Sequence, residues 1–415
     1  MKHILASVLV FQLKADQSVL VRFGILFIFV LLHLTMASKE ELQTVIQGNG
    51  LFTKQLYSVL AKKEGNVFFS PISVHAVLSM AYQGAGGSTY EALTNSLNVP
   101  DHSIAAKGYN SVLGQLNNVS GIELSMANKI YIKEGYELQS EFQEVTAKQF
   151  LSAVEPVNFN ESEKAAKTIN TWVEEKTKEK IKDLVKAEDL NEDTRLVLLN
   201  AIYFKGNWAS KFDAAETRPQ KFYINNNDSI EVQMMKKKSK YNYKEDRTLD
   251  AQVLELPYSN PDISMIIILP NKRDGIVKLE EKLANVDLTK ITENMYKPEV
   301  IVSLPKFKIE TEIDLNGPLQ ELGLGEIFNQ KSADFSKMLK TPEQLVVSKV
   351  VQKAFIEVNE EGAEAAAATS LQIELRCLPI VEEFTVDHPF VFALVVNQHD
   401  FDNVLFTGRI INPTL

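Results

Sequence analysis

The residue pair best suited to chemistry in this chain is Arg376–Cys377. A guanidinium at the end of an exposed stretch is what the carboxylate in a trypsin-like specificity pocket grips, through paired hydrogen bonds. The bond after Arg376 therefore reads as bait, chemistry offered to another enzyme rather than performed. Cys377 is the only cysteine, so no intramolecular disulfide can form. An exposed thiol there is open to oxidation or cross-linking, or it is simply a small residue with no special role. Chemistry performed by the chain itself has nothing to rest on: HExxH, CxxC, GxSxG and GxxxxGKS/T are all absent. The histidines beyond residue 37, His75, His102, His388 and His399, are not spaced as metal ligands. The run Gly84-Ala85-Gly86-Gly87 lacks the Lys-Ser/Thr of a phosphate loop and reads as a helix terminator. No enzyme activity, catalytic residue, cofactor or metal is expected.

An element must present Arg376, and the residues before it have a double character. Read as a strand, 363–375 puts Ala363, Ala365, Ala367, Thr369, Leu371, Ile373 and Leu375 on one face. Glu364, Ala366, Ala368, Ser370, Gln372 and Glu374 fall on the other. No proline interrupts these thirteen residues, so every N–H can join a ladder about 43 Å long. Alanine, however, has little β-propensity, so the stretch can also stand exposed until it enters a sheet. Gly362 supplies a permissive hinge. A surface helix over Glu360–Arg376 is the competing reading; alanine favours it, and the strict alternation from Thr369 to Leu375 opposes it.

The chain has 415 residues, 45% hydrophobic and 24% charged, enough for a large core without covalent staples. Its formal net charge of −10 argues against a nucleic-acid partner. The densest basic run, Lys236, Lys237, Lys238 and Lys240, reads as a solvated strand end, with an acidic-partner site as the minority reading. Phe23–Leu34 is an apolar run of signal-peptide length, too short for a membrane span of about 20 residues. Residues 1–37 are therefore expected to be a leader cleaved before Ser38, with 38–415 a secreted domain carrying no membrane anchor. A second apolar run, Ile4–Leu13, makes the leader unusually long. Asn118, Asn160 and Asn227 head N-glycosylation sequons.

The first half reads as helical: Glu40–Ala61, a helix opened by Ser70 as N-cap and Pro71, and Asn160–Val185. The second half reads as strands: Leu196–Phe204, Ile263–Leu269, Val300–Leu304, Phe390–Val396 and Val404–Ile411. This order, without a linker, predicts one α+β domain.

These residues, taken together, resemble the serpin family from about residue 44 to the end. Glu360-Glu361-Gly362-Ala363-Glu364-Ala365-Ala366-Ala367-Ala368-Thr369 matches the hinge pattern of inhibitory members. Asn66 to Ser73, the helix around Ile169-Asn170 and Trp172-Val173, Leu199 to Trp208 with Phe212 and Thr217, Leu304-Pro305-Lys306, Asp387 to Phe390, and Leu405 to Pro413 supply further motifs in the family's order. The hinge is most similar to that of insect haemolymph serpins. The resemblance implies a large central mixed sheet, two smaller sheets, eight or nine helices and an exposed reactive loop over about 360–380. It implies suicide-substrate trapping: a trypsin-like serine protease attacks Arg376–Cys377 and the freed loop enters the central sheet. Family spacing places the bond sixteen residues after Glu360, which is Arg376. It further implies a sheet-opening polar cluster of Ser70, Ser73 and Asn200, with Gln352 where many relatives carry histidine, and with Trp208. Tyr90 to Ser120 holds one cation, Lys107, so heparin activation is not expected; a monomer is. The alternative is a non-inhibitory serpin acting as a carrier.

Overall fold

The computed structural model describes residues 17–117, 119–341, 343–361, 381–398 and 401–415, with side chains from residue 39 onward. Gly362 to Thr369, Arg376, Cys377, Asn118 and His399 lie outside the described residues. Fifteen strands, numbered along the chain, form three sheets among the described residues.

A five-stranded mixed sheet runs in the order β11 (Phe307–Asp314), β12 (Val347–Val358), β4 (Leu196–Gly206), β2 (Ile122–Lys133) and β3 (Val154–Val157). A six-stranded antiparallel sheet follows β1 (Val67–Phe69), β15 (Phe401–Ile410), β14 (Phe390–Gln398), β9 (Ile263–Pro270), β8 (Ala251–Pro257) and β7 (Asn242–Asp246). The third sheet is β13 (Val381–Thr385), β10 (Glu299–Pro305), β6 (Ser229–Lys240) and β5 (Arg218–Tyr223). Eight α-helices surround them among the described residues: α1 (Gln17–Leu60), α2 (Pro71–Tyr82), α3 (Gly87–Leu97), α4 (His102–Asn117), α5 (Ser140–Gln149), α6 (Ser162–Lys176), α7 (Ile276–Leu283) and α8 (Asn316–Leu319). The α+β architecture with a mixed sheet and two further sheets is as expected.

The unbroken apolar run of β4 is explained by its two buried faces. Leu196, Leu198, Ile202 and Phe204 enter the main core, while Val197, Leu199, Ala201 and Tyr203 enter a second core under α6. Alternation at period two therefore serves two hydrophobic layers at once. From α6, Ala165, Ala166, Ile169 and Val173 cover that second layer.

Local signals read from the sequence are met with two corrections. The helix expected over Asn160–Val185 stops at Lys176. Thr177 donates to the Val173 carbonyl at 2.7 Å and accepts the Ile181 N–H at 3.2 Å, and Lys178 and Glu179 turn left-handed, at φ 52° and 61°. Ile181 and Leu184 still reach the second core, which is why the apolar pattern ran past the helix end. Pro71 opens α2 and Ser70 has the extended backbone of an N-cap, but the Ser70 hydroxyl makes no cap. It donates instead to the Leu405 carbonyl at 2.6 Å. Helix α1 continues across Ser38, and its described side chains are buried from Leu42 and Val45. Among the described residues no helix is long and apolar enough to cross a membrane.

Candidate functional site

At the centre of the five-stranded sheet two neighbours run parallel: β12 and β4 pair from Val347 opposite Leu196 to Ile356 opposite Phe204. Both strands therefore point their C-terminal ends the same way, and residues 359–361 continue from the end of β12. A segment folding back from there between the two strands would run antiparallel to both. It would replace one parallel ladder with two antiparallel ones, which are somewhat stronger per residue. The β12–β4 seam is thus a place where a strand can be added.

Polar side chains hold that seam from the main-core side. Asn200 of β4 and Gln352 of β12 stand opposite each other, both fully buried. The Gln352 side-chain amide donates to Asn200 Oδ1 and, at 2.9 Å, to the Ser70 carbonyl. Its oxygen accepts the Ser70 N–H at 2.9 Å. Asn200 in turn donates to Ser73 Oγ and to Asn128 Oδ1 of β2, and Ser73 bonds Asn128 at 3.0 Å. The structure therefore brings Ser70, Ser73, Asn200 and Gln352 together as expected. It adds Asn128, which sequence reading missed; its one signal is an asparagine on the face of β2 that otherwise turns Ile130 and Ile132 into the main core. Opening the seam separates Gln352 from Asn200, and each buried polar group left unpaired costs about 1–3 kcal/mol.

Trp208 is not part of this cluster. It lies eight residues beyond Asn200, about 26 Å along an extended chain, at the open end of the seam. There its indole N–H donates to the Asn359 carbonyl at 2.8 Å, and its ring stacks on Tyr258 at 4.5 Å.

The open end also holds Glu360, where the expected hinge begins. Glu360 accepts from Thr217 Oγ1 at 2.7 Å on one carboxylate oxygen and pairs with Lys306 Nζ at 2.7 Å on the other. Partial burial acts to raise its pKa, but the hydrogen bonds from Lys306 and Thr217 outweigh this and hold the carboxyl below the usual glutamate value. Glu361 donates its N–H to the Asn359 side chain at 2.9 Å. Lys306 and Thr217 belong to motifs visible in the sequence, yet nothing there showed that both would meet Glu360.

On the opposite face, Lys353 crosses from β12 to the segment that follows α6. Its ammonium donates to the Lys182 carbonyl at 2.7 Å and pairs with Glu310 at 2.9 Å. Lys349, also on β12, pairs with Asp189 at 2.7 Å. The amide cluster thus bridges the seam beneath, and above it lysines tie β12 to the segment after α6 and to β11.

The remaining candidates are structural or peripheral. His75 is buried between Tyr109 and the Leu97 carbonyl, and burial lowers its pKa to about 4. His388 bridges Asp387 and the Pro270 carbonyl. Asn160 and Asn227 are exposed. Among the described residues no three His, Cys, Asp or Glu side chains converge on a metal position.

Comparison with known proteins adds the following. A family model described as Serpin (serine protease inhibitor) matches residues 47–413. Alaserpin of Manduca sexta is 39% identical over 393 residues, spanning 94% of this chain and 99% of that protein. Antitrypsin of Bombyx mori is 39% identical over 398 residues, spanning 94% of this chain and 99% of that protein. The solved structure of Serpin48 from the insect Tenebrio molitor superposes with a TM-score of 0.79 at 36% identity, covering 89% of this chain and 98% of that one.

Proposed function

The chain belongs to the serpin family of serine protease inhibitors, and from that premise we propose that Arg376–Cys377 is the bond it offers to a trypsin-like protease. The molecule is a suicide-substrate inhibitor related to insect serpins, not an enzyme. The protease serine attacks the Arg376 carbonyl carbon, the amide to Cys377 breaks, and the Cys377 amino group leaves with the proton relayed by the protease histidine. An acyl bond then joins enzyme and inhibitor. The freed segment enters the sheet and carries the acylated protease with it.

The observation that carries this reading is the parallel β12–β4 seam with Glu360 anchored at its open end. Residues 363–375 alternate as an inserted strand requires, and their thirteen residues match the twelve of β12 in length. An arginine-cleaving target is supported by spacing from Glu360 and by the chemistry of Arg376; the name of the Bombyx mori relative, Antitrypsin, points the same way. In this reading 1–37 is a leader with a signal peptide, 38–415 the secreted inhibitor domain, and Asn118, Asn160 and Asn227 its glycan sites in haemolymph-like fluid. The mature inhibitor acts as a monomer, and Ser70, Ser73, Asn200, Gln352 and Asn128 govern seam opening.

The test compares the chain with its Arg376→Ala variant against trypsin. The second-order rate constant should fall at least 100-fold, with thermal stability unchanged. Equal rates for the two proteins would mean that another bond is attacked.

A further inference from the structure

The lysine run on β6 is not absorbed by the inhibitory mechanism. Lys236, Lys238 and Lys240 are exposed on one face of the strand, about 6.6 Å apart in succession, while Lys237 turns the other way. Lys237 is half-buried and donates to the Lys211 carbonyl, and exposed Lys211 lines one shallow pocket together with Lys236, Lys237 and Lys238. Lys238 pairs with Glu299 at 3.0 Å, but Lys236, Lys240 and Lys211 have no ion-pair partner among the described residues. Between these cations lies Ile301, at the floor of a shallow pocket that also carries Asp213 and Glu216.

The place of this row in the sheet decides its use. At one end the Lys306 N–H donates to the Gln233 carbonyl at 2.8 Å, and the same residue's ammonium holds Glu360, the N-terminal stem of the loop. At the other end Lys240 stands opposite Glu299, and Glu299 opposite Val381, the first described residue after the loop. Two strand spacings, about 10 Å, separate Lys240 from that C-terminal stem. The seven steps from Gln233 to Lys240 span about 23 Å between the two stems. A protease bound to a loop tethered by these two stems is within reach of this face.

The geometry points to a second contact surface for the target protease: Lys211, Lys236, Lys238 and Lys240 around Ile301 receive an acidic patch flanking the protease's active-site cleft. This rests on the inhibitor reading above. The chain carries a formal net charge of −10, so an acidic enzyme is repelled at long range and gains attraction close to these clustered cations. Screening beyond about 8 Å at physiological ionic strength makes the nearby charges the ones that count. An apolar centre ringed by cations with Asp213, Glu216 and Glu299 among them suits a protein surface better than a uniformly anionic polysaccharide.

The experiment uses the full chain and its Lys236→Glu/Lys240→Glu variant with anionic and cationic trypsin, enzymes of one bond specificity and opposite surface charge. At low ionic strength the variant should inhibit anionic trypsin about tenfold more slowly, and the gap should close toward 1 M salt. With cationic trypsin it should be as fast or faster. Melting temperature and the yield of stable complex should not change. Equal rates with anionic trypsin overturn the surface while leaving the inhibitor reading intact. Equal rates together with lost retention on immobilised heparin assign the row to a sulfated polysaccharide instead. Absence of complex with either trypsin, for both proteins, overturns the inhibitor reading and the surface with it.

Discussion

At Glu360 one carboxylate joins the strand that bears the loop to Thr217 and Lys306 beneath it. Because its pKa is held below the unfolded glutamate value, it stabilises the folded form above that value, near pH 4.3, and the contribution is lost as pH falls through the lower folded value. Lys306 is 39% exposed, so solvent screens the pair and the gain is modest. Glu360→Gln should cost about 1 kcal/mol at pH 7 in denaturant unfolding, with the difference shrinking as pH falls through the lowered folded value. A constant difference across pH would show that charge is not what holds this residue. Gln352 gives the complementary case, since an amide bridges the seam without titrating. The native unfolding rate should therefore lack a histidine-like step at this position, whereas Gln352→His should introduce one near pH 6–7. Identical pH profiles for the two proteins would mean that this side chain does not govern seam opening.

Among the elements, the adjacent β12 and β4 matter most because they are parallel and bridged by the buried Gln352–Asn200 amide pair. Their identities were legible in part. The run Leu196–Phe204 announces a strand buried on both sides, and the structure extends it only to Gly206. Strands Ile263–Pro270, Glu299–Pro305 and Phe390–Gln398 likewise sit where short apolar runs predicted them. What the sequence could not show is which side chains converge from distant segments. Asn128 meets Asn200 across 72 positions and Lys353 meets the Lys182 carbonyl across 171, and no local periodicity encodes such pairings. Trp208, grouped with the amide cluster on its motif, shows the same limit: the motif marks the strand but not the Asn359 carbonyl that its indole N–H bonds. Insertion depends on an unbroken ladder, so Ala367→Pro should abolish stable complex formation while Arg376–Cys377 is still cut. Retention of full complex yield by that variant, measured by denaturing electrophoresis, would argue against deep entry of the loop.

For the whole molecule, the architecture keeps a strand position closed until an external enzyme cuts the chain. With one cysteine there is no disulfide to brace it, so two hydrophobic layers and the polar fastenings of the seam carry the folded state. The free energy released on insertion comes from new ladders and newly buried side chains, and it appears only after the bond is attacked. Incubation with trypsin, followed by denaturing electrophoresis and mass analysis of the released peptide, tests this most directly. The account predicts a denaturant-stable complex and a free peptide spanning residues 377–415. Clean cleavage with active trypsin recovered and no complex would contradict it.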